Sequence, residues 1–137
     1  MSARFYLFVA AVGGLMSVVL GAFGAHGLKK IVMVDMLAAY QTGVQYQFIH
    51  TLAVFALAIL LLVPGAQAVK GWVKLSANFM ILGMMLFSGS LYTMTLMSAA
   101  GGFPAWLGPI TPIGGLAFIM GWIFLLVAAF KLPIDEQ

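Results

Sequence analysis

The stretch ITPIGGLAFIMGWIFLLVAAF, Ile110–Phe130, contains no Asp, Glu, Lys or Arg. About 20 such residues in a helix cross ~30 Å of hydrocarbon, so this segment reads as a membrane span. Three more stretches share its character: Phe5–Gly24, Gly43–Val63 and Leu75–Ser98. The four together take up most of the chain. The reading is an all-α, polytopic integral membrane protein: four transmembrane helices with short loops, a single domain over residues 1–137.

Composition agrees. Hydrophobic residues make up 64% and charged residues 7% of the chain, whereas a soluble domain carries about 25% charged residues. The connections are too short to hold a soluble catalytic unit. With no cysteine, disulfides, thiolate metal sites and thiol nucleophiles are excluded. The net charge of +3 is scattered, and Lys29–Lys30 is the only adjacent basic pair. That argues against nucleic acid as a partner and for lysines held at the lipid headgroups. Arg4, the apolar run behind it and the small residues Ala22 and Gly24 imitate a secretory signal. The run exceeds the roughly 7–15 residues of a signal core, so it reads as a retained first span.

An even number of spans places both termini on one side, together with the second loop, Pro64–Lys74. Arg4, Lys70, Lys74 and Lys131 collect there, against Lys29 and Lys30 opposite. The excess of positive charge predicts cytoplasmic termini in a plasma membrane. Trp72 and Trp106 stand at belt depth. In the first loop, Asp35 is a candidate cap for a helix starting at Met36. A helix over Met36–Val63 would be about 42 Å long, so Ile31–Tyr40 is expected to lie along the interface, or the second helix to tilt or break near Gly43. The third loop, Gly101–Pro109, is a tight glycine–proline connection. Thr111 as cap and Pro112 at the first helical position suit a helix start. Lys131 and Pro133 mark its end.

Helices in lipid associate by close packing, which small residues permit. Gly13, Ser17, Gly21 and Ala25 form a groove on the first span, widened by Ala10, Gly14 and Gly24. Ser76, Gly83 and Ser90 on the third span, and Gly114, Gly121 and Ala128 on the fourth, recur every seven residues and stay near one helix face. Gly13, Ser17, Gly21, Gly83, Gly114 and Gly121 are the candidate packing residues. A glycine-lined substrate path is the alternative use of the same seams.

Polar residues gather at the start of the second span, where Gly43, Tyr46, Gln47 and His50 share a face while Gln41 and Gln45 fall on another. Asn78 and the run Ser88, Ser90, Tyr92, Thr93, Thr95 are the remaining set. Tyr46, Gln47, His50, Ser88 and Ser90 are the candidate intramembrane polar cluster. An ionisable group inside a membrane is by default a functional candidate. No acid accompanies His50, which favours a neutral imidazole hydrogen-bonded to Gln47 or a third-span serine. His26 is a weaker candidate. The two histidines are the only pair able to ligate haem, and without carboxylate or thiolate support they make a poor metal site, so no cofactor is assigned. Trp122, mid-span, carries an indole donor in want of a partner.

Gly21–Ala22–Phe23–Gly24–Ala25–His26, the run Thr42–Ala53, Leu86–Phe87–Ser88–Gly89–Ser90–Leu91–Tyr92 and Thr111–Pro112–Ile113–Gly114–Gly115 carry a resemblance. On these motifs the chain resembles the YgdD-like bacterial inner-membrane proteins, related to the animal transmembrane protein 256 and catalogued as a domain of unknown function. The resemblance implies a small integral protein of the bacterial plasma membrane and brings no activity, substrate or cofactor. The leading functional expectation is a non-enzymatic structural or accessory component, with lipids, other membrane proteins or further copies of itself as partners. Binding or transport of a small hydrophobic molecule or lipid is the first alternative. A haem- or quinone-associated redox role at His26 or His50 is the second.

Overall fold

The computed structural model describes residues 1–133, so Ile134–Gln137 of the expected domain lie outside the described residues. Among the described residues five α-helices occur: α1 (Ala3–His26), α2 (Val34–Leu60), α3 (Lys70–Gly83), α4 (Gly89–Ala99) and α5 (Ile110–Lys131). A π-helical segment, Met84–Ser88, joins α3 to α4 without a break. Together with the short 3-10 turns at Leu28–Lys30, Pro64–Val69 and Ala105–Leu107, they build four helices long and apolar enough to cross a membrane. Among the described residues there is no strand. The all-helical, four-span architecture therefore holds.

Helix α2 and the third span occupy the middle. Helix α1 packs chiefly on α2, and α5 chiefly on α3 and the π segment. The apolar core runs through Tyr6, Val54, Leu57, Val73, Ala77 and Met80 near the end that holds the N-terminus. There the hydroxyl of Tyr6 donates to Asn78 Oδ1 at 2.8 Å, tying α1 to α3.

Three local expectations are corrected. Helix α2 is continuous from Val34 to Leu60 and unbroken at Gly43, so it runs about 40 Å, which removes the expected break and leaves the tilted helix among the expected alternatives. Gly43 is there for contact with a neighbour: a Cβ on it would lie 2.9 Å from the Tyr92 ring. Asp35 sits inside the first turn of α2, where its charge complements the helix dipole, and the cap position is Met33. Helix α5 starts at Ile110, so its cap position is Pro109, which has no side-chain acceptor, and Thr111 lies inside the first turn with its hydroxyl 2.7 Å from Ser90 Oγ.

The groove on α1 also closes differently. Ala10, Ser17 and Gly24, seven residues apart, are buried; Gly21 is half-buried and Ala25 exposed. Four-residue steps drift around a helix, whereas seven-residue steps nearly close, so α2 follows the seven-residue track and leaves Gly21 and Ala25 at its edge. Gly101 and Gly102 have φ of +112° and +134°, backbone that L side chains rarely adopt, and this lets the third loop turn tightly.

Candidate functional site

His50 lies well inside α2, sixteen residues or about 24 Å from the helix start. It is 5% exposed. Its Nδ1 is 2.8 Å from the Tyr46 carbonyl, and its Nε2 is 3.2 Å from the indole nitrogen of Trp122 on α5. A carbonyl only accepts and an indole N–H only donates. The proton therefore resides on Nδ1, Nε2 is a bare acceptor, and the imidazole is neutral. The expected partners, Gln47 and a third-span serine, are not the ones used. Trp122 reaches His50 because Gly83 lets Phe118, one turn before Trp122, sink between the helices: a Cβ on Gly83 would overlap the Phe118 ring.

Phe118 stacks on the imidazole, with ring centroids 3.6 Å apart and planes 15° from parallel. Tyr46 stacks on Phe87 of the π segment at 4.7 Å. Phe87 meets Phe118 edge-on at 5.7 Å. His50 is thus flanked by aromatic rings of α2 and α5, with Phe87 of the π segment packed behind Tyr46 and Phe118. Beside it a groove of about 560 Å³ opens outward, lined by Tyr46, Phe87, Leu116, Ile119 and Trp122 among others.

The five candidate cluster residues do not form one cluster. Gln47 points to α1, donating to the Gly13 carbonyl at 3.1 Å, and its Oε1 accepts from the Tyr92 hydroxyl at 2.9 Å. Ser17 Oγ donates to the same Gly13 carbonyl at 2.8 Å. Ser90 turns to α5, 2.7 Å from Thr111, and donates to the Phe87 carbonyl at 2.9 Å. The wide π turn disturbs the normal i→i−4 ladder, and Ser90 supplies a donor there. Ser88 is fully buried, and its Oγ has no hydrogen-bond partner among the described residues. The candidate set therefore divides four ways: Tyr46 and His50 with α5, Gln47 with α1 and α4, Ser90 with Thr111, and Ser88 buried apart from all of them.

His26 is exposed at the end of α1, its Nδ1 3.1 Å from the Ala22 carbonyl. The antiparallel α1–α2 register is set by Gly24 against Tyr40, Gly21 against Val44 and Gly13 against Thr51. His50 is therefore level with Gly14, about 18 Å along α1 from His26. The two histidines cannot share a haem iron. Among the described residues no group of three His, Asp or Glu side chains comes together.

The glycine seams of α3 and α5 face each other. Ser76 Oγ donates to the Gly121 carbonyl at 2.8 Å. A Cβ on Gly114 would strike the backbone of Phe87, and one on Gly121 would lie 2.8 Å from Met80 Cγ. Phe87 and Phe118 are central residues that pattern alone did not single out. Tyr92, within the polar run, and Trp122, mid-span, did leave a signal in the sequence.

A family model described as "Protein of unknown function (DUF423)" matches residues 20–115. The chain is 40% identical over 132 residues to the UPF0382 inner membrane protein YgdD of Escherichia coli, covering 96% of this chain and 94% of that one. The UPF0382 membrane protein YwdK of Bacillus subtilis is 40% identical over 131 residues, covering 93% and 98% of the two chains. A UPF0382 membrane protein of Schizosaccharomyces pombe is 38% identical over 120 residues, covering 87% and 96%. No solved structure matches. The relatives align with nearly the whole chain, whose four helices are long and apolar enough to cross a membrane, and are named as membrane proteins; the chain belongs to this DUF423 family of membrane proteins of unknown function.

Proposed function

We propose that the protein is a non-catalytic structural or accessory component of a plasma (inner) membrane, spanning it four times with both termini in the cytoplasm. One observation carries the non-catalytic part: His50, the only ionisable His, Asp, Glu, Lys or Arg deep in a span, has both ring nitrogens engaged within the bundle. An imidazole that is donor to one helix and acceptor from another ties α2 to α5. It offers no free nitrogen for proton transfer or ligation. Gln47, Tyr92, Ser76, Ser90 and Thr95 likewise bond to other helices or to nearby backbone. In hydrocarbon such groups must find partners inside the protein.

Orientation is supported by charge. Lys70 and Lys74 lie beside Met1 and Ser2, and Lys131 sits 4.8 Å over the Trp72 ring, so the cationic excess gathers at one end. A reporter active only outside the cytoplasm, fused after the last residue, should stay silent; strong activity would reverse the topology.

The functional test pairs His50→Gln with His50→Leu. Glutamine retains a donor and an acceptor, so it should fold and support any cellular phenotype of the gene. If His50→Gln folds normally yet abolishes that phenotype, His50 carries chemistry and the accessory reading fails. A second reading, binding of a small hydrophobic molecule, is favoured by the 560 Å³ groove beside Tyr46, whose hydroxyl forms no hydrogen bond among the described residues. A single lipid species retained through purification, and lost in Leu116→Trp, would support it.

A further inference from the structure

The polar side chains of α2 that hydrogen-bond within the molecule are Tyr40, Thr42, Gln47, His50 and Thr51. Gln41 and Gln45 do not. Both are exposed, four residues apart on one face, beside the flank of α1 that α2 leaves open. Ser17 and Gly21 of α1, with Val44 between the two amides, complete a groove of about 310 Å³. The α1–α2 register puts the middle of the first apolar stretch, Phe5–Gly24, level with Ile49–His50, so Gln45 lies about 7 Å and Gln41 about 13 Å from that level along the axis. With a hydrocarbon half-thickness of about 15 Å, Gln45 is well within it and Gln41 is near its edge. Gln45 is too deep for its short side chain to reach water. An amide facing lipid has no partner and is costly there.

We infer that this face is a self-association surface, on which Gln41 and Gln45 hydrogen-bond to the same residues of a second copy of the chain. Symmetry is what selects a second copy over an unlike partner. Copies inserted with one orientation and related by a two-fold axis along the membrane normal place each residue at the depth of its mate. A carboxamide is both donor and acceptor, so the pair Gln41–Gln45 is its own complement at matching depth. An unlike helix would need polar groups at two fitted depths. The small residues Gly21 and Ser17 on the adjoining flank allow close approach of another helix. Helix α1 is also the least covered of the four spans, with 17% of its apolar window buried. The surface lies away from the His50 interior and does not depend on the accessory reading of that interior.

The chain has no cysteine, so single cysteines report proximity without background. Val18→Cys and Phe48→Cys place thiols on the rim of the groove, and Leu126→Cys places one on exposed α5. In native membranes a short thiol cross-linker should join Val18→Cys and Phe48→Cys chains into a species of twice the mass, and leave Leu126→Cys monomeric. Adding Gln41→Leu and Gln45→Leu should reduce the Val18→Cys dimer about tenfold, as loss of interhelical amide bonds implies. The proposal is overturned if the rim positions cross-link no better than Leu126→Cys. It is also overturned if they join only to a protein of different mass, or if the double leucine variant dimerises as before. The cysteine comparison is made with both glutamines present, so it decides even where the double variant fails to accumulate.

Discussion

The α3–α5 contact and the α1–α2 contact both use small residues, yet they close to different degrees. Between α3 and α5 the backbones themselves meet: a Cβ on Gly114 would strike the Phe87 main chain, and one on Gly121 would reach the Met80 nitrogen and the Ser76 carbonyl oxygen at 3.3 Å. Between α1 and α2 the glycines receive side chains instead. Thr51 fills the space at Gly13, Tyr40 that at Gly24, and Val44 only brushes Gly21, at 3.5 Å. A seam filled by side chains can be left half-open. A seam closed by backbone cannot, since nothing there is able to turn aside. The first arrangement makes one half of the molecule a scaffold around His50, and the second leaves the other half with an open flank.

Substitutions should separate the two seams. The largest effect is expected for Gly114→Ala, whose methyl group forces α5 from the π segment; overpacking of this kind costs about 1–3 kcal/mol, read as a lower melting temperature in detergent. An unchanged melting temperature would mean that the helices are not in backbone contact. Next is His50→Leu, which strands the Trp122 N–H and should cost on the order of 1 kcal/mol, with His50→Gln close to wild type. Equal stability of the two would remove the polar tie between α2 and α5. Ser76→Ala deletes one interhelical bond, to the Gly121 carbonyl, and should cost about 0.6 kcal/mol. The smallest effect is expected for Gly21→Ala, where the new methyl meets Val44 at ordinary contact distance. A loss there as large as at Gly114 would erase the distinction between the seams.

Much of this fold was legible in the chain because the bilayer imposes a length and an apolar composition on every span. The seven-residue recurrence of Ser76, Gly83 and Ser90 and of Gly114, Gly121 and Ala128 marked two faces that lie together in the structure. The four-residue set on α1 was harder to read. Gly13, Ser17, Gly21 and Ala25 drift around the helix, and pattern alone does not say which residues a straight neighbour can follow. The π segment left no trace, as Met84–Ser88 is a largely apolar run, and its Phe87 packs against Gly114, on another helix. The partners of His50 were hidden for a different reason. Helical periodicity places Gln47 near His50 on α2, but it does not say that Gln47 turns to α1 while an indole seventy-two positions away arrives from α5. Polar residues on one face identify who needs a partner, and only packing decides who provides it.

The most direct test of the central claim, that His50 is a structural tie between helices, is the nitrogen-15 spectrum of its imidazole in lipid. A His26→Gln background leaves it as the single histidine of the chain. The account predicts one neutral tautomer, protonated at Nδ1, whose bare Nε2 resonance shifts when Trp122→Phe removes the indole donor. An imidazolium, a tautomer protonated at Nε2, or a spectrum indifferent to Trp122→Phe would contradict it.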